Sequence, residues 1–271
     1  MIRKAAVADM FYTSNPTILR AEIKTYVTEA EPRPAVAVVS PHAGYPFSGK
    51  TAGAAYSEVV IPDRVVILGP NHWGTGEPFA IMTKGVWQMP FGDVPIDVDL
   101  AQSIQEECDL LKEDPQAHER EHSLEVQVPF LQHFNPQVKI VPIVLGSQDL
   151  KKLRRLGRAI AKSIKDSDSN VLIVASTDMS HTRNSNSKMQ QLKKKNDMAA
   201  LEAVTALDEE NFLDVVDQLG VTMCGHAAVA AAIAAAKKLG ASKGTLVRYS
   251  TSYDISGDYS YVVGYAGVLI E

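Results

Sequence analysis

The stretch VVSPHAGYPFSGKTAG, residues Val38–Gly53, contains the end of an apolar run, a polar loop and the start of a segment rich in small residues. The run AVAVVS indicates a strand, and SGKTAGAAYSEVV indicates a closely packed helix. Three further runs have the same form: RVVILG before PNHWG, VKIVPIVLG before SQD, and NVLIVAS before TDMSH. Because these runs are apolar without alternation, they predict strands that are covered on both faces.

Helical segments lie between the predicted strands. LKKLRRLGRAIAKSIKD has Leu and Ile at helical spacing, and CGHAAVAAAIAAAKKLGA ends with Lys residues and Gly240, a common C-terminal signal. The last part, GTLVRYSTSYDISGDYSYVVGYAGVLIE, predicts two antiparallel strands joined by an irregular loop. The alternation predicts an α/β fold with a mostly buried central sheet flanked by helices. No linker or repeat divides the chain, so we expect one domain over residues 1–271.

The composition excludes several classes of protein. A formal net charge of -5 argues against nucleic-acid binding, which needs a surplus of Lys and Arg on one face. No apolar run has membrane-spanning length, so we expect no membrane partner. The two cysteines cannot form a disulfide framework, which favours a cytoplasmic protein.

The ends of the predicted strands carry residues with reactive side chains. His42, His72 and the pair Asp178 and His181 each follow a different predicted strand. In open α/β sheets, ligands bind outside the carboxyl ends of the strands. If the three strands are parallel, these side chains therefore lie at one edge of the sheet.

The opening stretch also matches the phosphate-binding pattern G-x-x-x-x-G-K-[ST], through Gly44, Gly49, Lys50 and Thr51. That pattern works through successive backbone N–H groups of a flexible glycine loop. Pro46 supplies no N–H, and two aromatic residues beside it crowd the loop. We therefore interpret the match as a coincidence, with Gly44 and Gly49 shaping the turn into a helix that starts near Lys50.

Histidine is abundant in the predicted loops and helix starts. Each such residue alone is more often hydrogen-bonded or solvent-facing than functional, but together they favour a metal site or an acid–base site. The residues concerned are His42, His72, His122, His181 and His226. The other two, His118 and His133, are expected on helix surfaces.

Cys224 adds a soft ligand. It precedes the Ala-rich helix, where the helix dipole would lower a thiol pKa and favour the metal-binding thiolate. The alternative is a small buried residue, and this interpretation is the one we give to Cys108. A set of two histidines and one cysteine suits zinc, copper or iron, and leaves open positions for a substrate.

Two neighbouring motifs leave alternatives open. His122 lies near a predicted helix start with Glu125 one turn later, so it is a partner of the site, a proton donor or a surface residue. Asp178 either orients His181, as carboxylates orient imidazoles elsewhere, or only caps a helix.

Five motifs carry a family resemblance over nearly the whole chain: SPHAGYPFSG, ILGPNHWG, EHSLEVQVPFLQ, STDMSH and MCGHAAVAAAI, in that order. They resemble the Memo proteins, known in prokaryotes as AmmeMemoRadiSam system protein B. The resemblance implies a fold similar to that of class III extradiol dioxygenases, which are non-haem iron enzymes that open catechol rings. It also implies that His42, His72 and Cys224 bind one metal ion. A thiolate in place of the dioxygenase carboxylate favours iron or copper and puts ring opening in doubt.

The same resemblance implies roles for three more residues. His181 matches the acid–base histidine, Asp178 lies in the same motif, and His122 matches the remaining active-site histidine. The implied partners are a radical SAM enzyme and an AMMECR-type protein. We therefore expect a metal-dependent, dioxygenase-like oxidoreductase acting on a small molecule or peptide. The alternative is a non-catalytic peptide- or protein-binding module that retains the pocket.

Overall fold

The computed structural model describes residues 1–271, with twelve strands in two sheets. The strands are β1 (Ile2–Lys4), β2 (Ala37–Ser40), β3 (Arg64–Pro70), β4 (Phe79–Ile81), β5 (Val86–Met89), β6 (Gly92–Pro95), β7 (Lys112–Glu113), β8 (Lys139–Leu145), β9 (Val171–Ser176), β10 (His181–Arg183), β11 (Gly244–Thr251) and β12 (Tyr261–Ile270).

Ten α-helices and one short 3-10 turn, Glu125–Gln127, surround these strands. The helices are α1 (Pro16–Tyr26), α2 (Tyr45–Ser57), α3 (Val98–Glu107), α4 (Gln116–Glu119), α5 (Val128–Phe134), α6 (Leu150–Asp166), α7 (Ser187–Thr205), α8 (Glu209–Gln218), α9 (His226–Lys238) and α10 (Tyr253–Ser256). None of the helices is long and apolar enough to cross a membrane.

Four buried strands form the centre of the larger sheet in the order β2–β9–β3–β8, and all neighbours among them are parallel. They are the four strands predicted from the apolar runs. Ser40 is opposite Ser176 and Leu68 is opposite Ala175, so β2, β9 and β3 end at nearly the same level. The loops that follow them therefore meet at one edge of the sheet, as expected.

The remaining strands extend the sheet on both sides. β12 pairs antiparallel with β2, β11 and β10, which confirms the antiparallel pair predicted at the end of the chain. A separate sheet of β1, β5 and β6 was not predicted, because these strands are only three or four residues long and lack an apolar run.

The Ala-rich helix α9 is buried along nearly its whole length and packs on both α6 and the sheet. Its small side chains allow α6 to approach closely. A Cβ atom on Gly157 of α6 would lie 2.8 Å from the Ala231 carbonyl oxygen. Close packing of this kind buries apolar area without large side chains.

The start of α2 shows which residues of the phosphate-binding pattern lie in a loop and which lie in a helix. The helix begins at Tyr45, with Gly44 as its N-cap, so Gly49 and Lys50 lie inside a helix rather than in a loop. The expectation that Gly49 shapes the turn is wrong. A Cβ atom on Gly49 would come within 2.7 Å of the Tyr26 ring, so this glycine permits the close contact between α1 and α2.

The expectation that His118 lies on a helix surface is also wrong. The residue is fully buried, and its Nδ1 lies 2.9 Å from the Asp114 carbonyl oxygen and its Nε2 3.2 Å from that of Pro142. Burial lowers the pKa of His118 to about 4. This residue supports the core, away from the sheet edge.

Gly53 gives a test of the α1–α2 packing. A Cβ atom there would lie 2.4 Å from the backbone oxygen of Tyr26. Overpacking typically costs about 1–3 kcal/mol, which exceeds the gain of at most about 1 kcal/mol from replacing glycine in a helix. We expect Gly53→Ala to destabilise the protein by about 1–2 kcal/mol in urea unfolding. Gly146→Ala is the control, since its nearest neighbour is at 3.6 Å. Equal stability of the Gly53 variant and wild type would contradict the packing.

Candidate metal centre

Three imidazoles from three different loops converge at the carboxyl edge of the sheet. His42 follows β2, His72 follows β3, and His122 precedes the 3-10 turn. One ring nitrogen from each lies within 4.8 Å of the others. The rings of His72 and His122 stack with centroids 4.4 Å apart, and the His42 ring meets both nearly edge-on. We call these residues the three-histidine cluster.

Two members of the cluster are held by hydrogen bonds at Nδ1. His42 Nδ1 lies 2.9 Å from Ser176 Oγ, and His72 Nδ1 lies 2.8 Å from Glu121 Oε1. A partner on one imidazole nitrogen fixes the ring orientation and leaves the other nitrogen for a metal. Nε2 is therefore the ligand atom offered by both residues.

Glu121 is a residue that the sequence analysis missed. Its buried carboxylate accepts hydrogen bonds from His72 N at 2.7 Å, from His72 Nδ1, and from Ser123 N at 2.9 Å, and it lies 3.7 Å from His122 Nδ1. Burial alone would raise the pKa of Glu121, but these hydrogen bonds and the nearby His72 lower it to about 2. The carboxylate is therefore ionised, and it holds the His72 ring by a hydrogen bond. The sequence signals for Glu121 were the adjacent His122 and its own place as the first residue of the motif EHSLEVQVPFLQ.

The environment keeps two of the imidazoles, those of His42 and His122, neutral. Burial, followed by the proximity of His72, lowers the pKa of His42 well below its usual value. Burial, followed by the proximity of His42, lowers the pKa of His122 to about 4. Neutral imidazole is the form that binds metal, so near pH 7 these two rings need lose no proton on binding.

Cys224 lies beside the cluster but is not one of its members. Its Sγ is 3.2 Å from His42 Nε2 and accepts a hydrogen bond from Asp178 N at 3.3 Å. Two ligands of one ion, at bond lengths of about 2.0–2.3 Å, lie about 3–3.7 Å apart, so the spacing from His42 suits a shared ion. The expected lowering of the thiol pKa is wrong. Burial, followed by the Asp178 charge, raises the pKa of Cys224 to about 12.

The expected contact between Asp178 and His181 is absent. Asp178 Oδ1 instead accepts a hydrogen bond from the backbone N–H of His42 at 2.8 Å, and burial raises the pKa of this carboxyl group. His181 is held by Thr222, whose Oγ1 accepts from His181 N at 2.7 Å and whose carbonyl oxygen lies 3.0 Å from Nδ1. Asp178 therefore positions the His42 loop, and the suggestion that it orients His181 is wrong.

Glu125 does not reach His122 either. Its carboxylate accepts hydrogen bonds from Arg3 Nη1 at 2.6 Å, from Tyr12 Oη at 2.5 Å, and from two backbone N–H groups of the N-terminal segment. The Arg3–Glu125 ion pair is buried. It ties the N-terminal segment against the site, and the Phe11 ring lies 4.8 Å from the His122 ring.

A cavity of about 380 Å³ opens next to the cluster. It is lined by the three histidines, Asp178 and the aromatic residues Phe11, Phe47, Tyr261 and Tyr265. The segment between β11 and β12 adds Ser252, Ser256, Asp258 and Ser260. No Lys or Arg lines the cavity. The volume is at the low end for small-molecule sites, and it accommodates a ligand with one or two rings.

The hydrogen bond between Glu121 and His72 gives a test of the metal centre. Glu121→Gln keeps the shape but removes the charge beside the His72 imidazole. Loss of such a partner typically weakens metal binding about 10–100-fold, and we expect a loss in that range for Zn²⁺, measured by competition with a chromogenic chelator. Glu119→Gln is the control, since Glu119 is exposed and outside the cluster. Unchanged affinity in Glu121→Gln would show that no ion binds to His72.

The fold occurs in a solved structure. The uncharacterized protein JW3007 from Escherichia coli K12 superposes with a TM-score of 0.56 over 87% of this chain and 99% of its own, at 12% sequence identity. At that identity the likeness concerns the fold alone.

Sequence comparisons identify the family. A MEMO1 family protein of Methanopyrus kandleri is 41% identical over 286 residues, covering 100% of this chain and 99% of the relative. A MEMO1 family protein of Methanothermobacter thermautotrophicus is 39% identical over 279 residues, covering 98% and 99%. The family model described as Memo-like protein matches residues 3–269. The chain therefore belongs to the Memo family.

Proposed function

We propose that this Memo-family chain is a metal-dependent redox protein that acts on a small ligand in the cavity beside the three-histidine cluster. The observation that carries the proposal is the convergence of three imidazole nitrogens within 4.8 Å at the carboxyl edge of the sheet. His42 and His72 are common to this cluster and to the His/His/Cys set expected from the family resemblance. We assign the third ligand to Cys224 and the ligand-facing role to His122.

The chemistry of these residues fits a transition metal. Imidazole nitrogen and thiolate sulfur suit copper, iron and zinc, and we favour iron or copper because the proposed reaction is a redox reaction. Such an ion would supply activation of substrate or of oxygen at its open coordination positions. The hydrogen bonds at Nδ1 of His42 and His72 favour this donor set, because they direct Nε2 of each ring away from its hydrogen-bond partner, Ser176 or Glu121.

The protein's own groups would bind the ligand and move protons. The aromatic walls of the cavity would contact a ring of the ligand. Because no Lys or Arg lines the cavity, it favours a ligand with no negative charge apart from a group bound to the metal. His181 is not a lining residue of the cavity, but it lies beside Tyr261, which is, with ring centroids 6.2 Å apart. Since the Thr222 carbonyl oxygen only accepts hydrogen bonds, His181 Nδ1 carries the proton, and Nε2 is the basic atom available for proton transfer.

The alternative, a non-catalytic peptide- or protein-binding module, would use the same surface. Phe47, Trp73 and Tyr261 are 42%, 51% and 49% exposed, and Phe47 and Tyr261 also line the cavity. Exposed aromatic side chains are common at binding surfaces. The buried carboxylate Glu121, hydrogen-bonded to a ligand-type histidine, favours the metal-dependent function, because peptide recognition does not require it. We also propose a radical SAM enzyme and an AMMECR-type protein as partners of this chain.

Metal content tests the ligand assignment. In protein purified without a chelating tag, we expect about one iron or copper ion per chain by mass spectrometric metal analysis. Removal of one of three ligands should abolish retention, so His72→Ala and Cys224→Ala should both lose the ion. Cys108→Ala is the control, because Cys108 is buried in the core. If Cys224→Ala keeps its metal and His122→Ala loses it, the three-histidine cluster is the ligand set.

The pH dependence of binding gives a separate test of Cys224. Because its thiol is protonated near pH 7, binding to the sulfur must release one proton. The folded-state pKa is raised, so the apparent affinity for Zn²⁺ should rise about tenfold per pH unit between about pH 7.5 and 9, above the titration range of ordinary imidazole. Calorimetry in buffers of different ionisation enthalpy measures the released proton. The Cys224→Ala variant should lack this release, and an equal release in both proteins would exclude sulfur ligation.

A further inference from the structure

A chain of buried hydrogen bonds lies behind the His42 imidazole, on the side away from Cys224. It runs from Tyr56 through the Gln127 amide to the Ser176 hydroxyl, which lies 2.9 Å from His42 Nδ1. All four side chains are at most 1% exposed. Because solvent does not reach them, each donor and acceptor in the chain has to be satisfied by another member.

The orientation of the Gln127 amide is fixed at its far end. One contact of the amide nitrogen Nε2, at 2.9 Å, is the carbonyl oxygen of Pro41, which can only accept. The amide oxygen accepts from Tyr56 Oη at 2.8 Å. The group that faces Ser176 Oγ at 2.8 Å is therefore an N–H donor.

The direction of the Ser176 hydroxyl follows from its second neighbour. Ser176 Oγ lies 2.6 Å from the carbonyl oxygen of Ser123, so its single hydrogen is donated there. Its lone pairs are left to accept, one from Gln127 and one from His42. His42 Nδ1 must therefore carry a hydrogen, and Nε2 carries the lone pair that points toward Cys224.

We propose that Ser176, whose hydroxyl hydrogen goes to the Ser123 carbonyl and whose other lone pair accepts from Gln127, is a positioning residue that holds His42 in the Nδ1–H tautomer and presents its Nε2 lone pair to the metal position. The inference rests on the proposed function only for the identity of the ligand atom. The tautomer itself is a property of the metal-free protein.

The hydrogen-bond partners behind His42 differ in charge from the partner of His72. The Nδ1 partner of His72 is the ionised Glu121 carboxylate, whereas His42 is held through a neutral hydroxyl and a neutral amide. A carboxylate makes an imidazole more basic, and a neutral partner fixes the ring without that effect. Both ligand histidines are therefore oriented with Nε2 toward the metal position, but the two Nε2 atoms differ in donor strength.

The tautomer is measured by long-range ¹H–¹⁵N NMR of the histidine side chains in metal-free protein, with His42 assigned by substitution. We expect a single Nδ1–H tautomer in wild type. Ser176→Ala removes the hydroxyl oxygen that accepts from His42 Nδ1. We expect that variant to show mixed tautomers at His42 and about tenfold weaker Zn²⁺ binding, the lower end of the effect of losing such support.

Ser163→Ala is the matched control, because Ser163 is also buried but lies in α6, away from the cluster. It should leave the His42 spectrum and the affinity unchanged. Gln127→Met leaves the Ser176 hydroxyl donating to Ser123, so it should also keep the Nδ1–H tautomer. If Ser176→Ala does not fold, Ser176→Cys, whose sulfur is a weaker acceptor, should give the same mixed tautomers.

Two outcomes would overturn the inference: an Nε2–H tautomer at His42 in wild type, or an unchanged His42 spectrum in the folded Ser176 variant. A wild type that shows the Nδ1–H tautomer, with the expected loss of it in the Ser176 variant, but binds no metal would instead refute the proposed function. The same proteins therefore distinguish a failure of this inference from a failure of the proposed function.

Discussion

Parallel pairing of β2, β9 and β3 is the constraint on which the site depends. In a parallel sheet the strands run in one direction, so the loops after them must leave at the same edge. Ser40 is opposite Ser176 and Leu68 is opposite Ala175, and this register leaves His42, His72 and Asp178 only a few residues beyond their strands. The strands themselves are buried, with α9 and α2 packed on them.

A second constraint follows from burial at this edge. Polar groups that leave water must find hydrogen-bond partners inside the protein, or the fold loses several kcal/mol. The structure meets this requirement differently for each histidine. Glu121 supports His72 with a charge, Ser176 supports His42 without one, and Thr222 supports His181 through its carbonyl oxygen. These partners determine which nitrogen of each ring is available for chemistry.

The N-terminal segment completes the site from outside the sheet. Glu125 accepts four hydrogen bonds from this segment, including those from Arg3 and Tyr12. A buried ion pair with so many donors is costly to break, because either partner alone would leave an unpaired buried charge. The segment therefore keeps Phe11 against His122 and fixes one wall of the cavity.

The sequence by itself predicted the four central strands and the Ala-rich helix, because apolar runs and helix end signals are local patterns. It placed His42, His72 and Asp178 at one edge on the condition that their strands are parallel, which the tertiary structure meets. It did not determine the small second sheet, the burial of His118, the raised pKa of Cys224, or the partners Glu121 and Gln127. The reason is distance along the chain. His72 and Glu121 are separated by 49 residues, and His42 and Ser176 by 134. Such contacts, and the desolvation that shifts each pKa, exist only once the tertiary structure has brought distant loops together and removed water from between them.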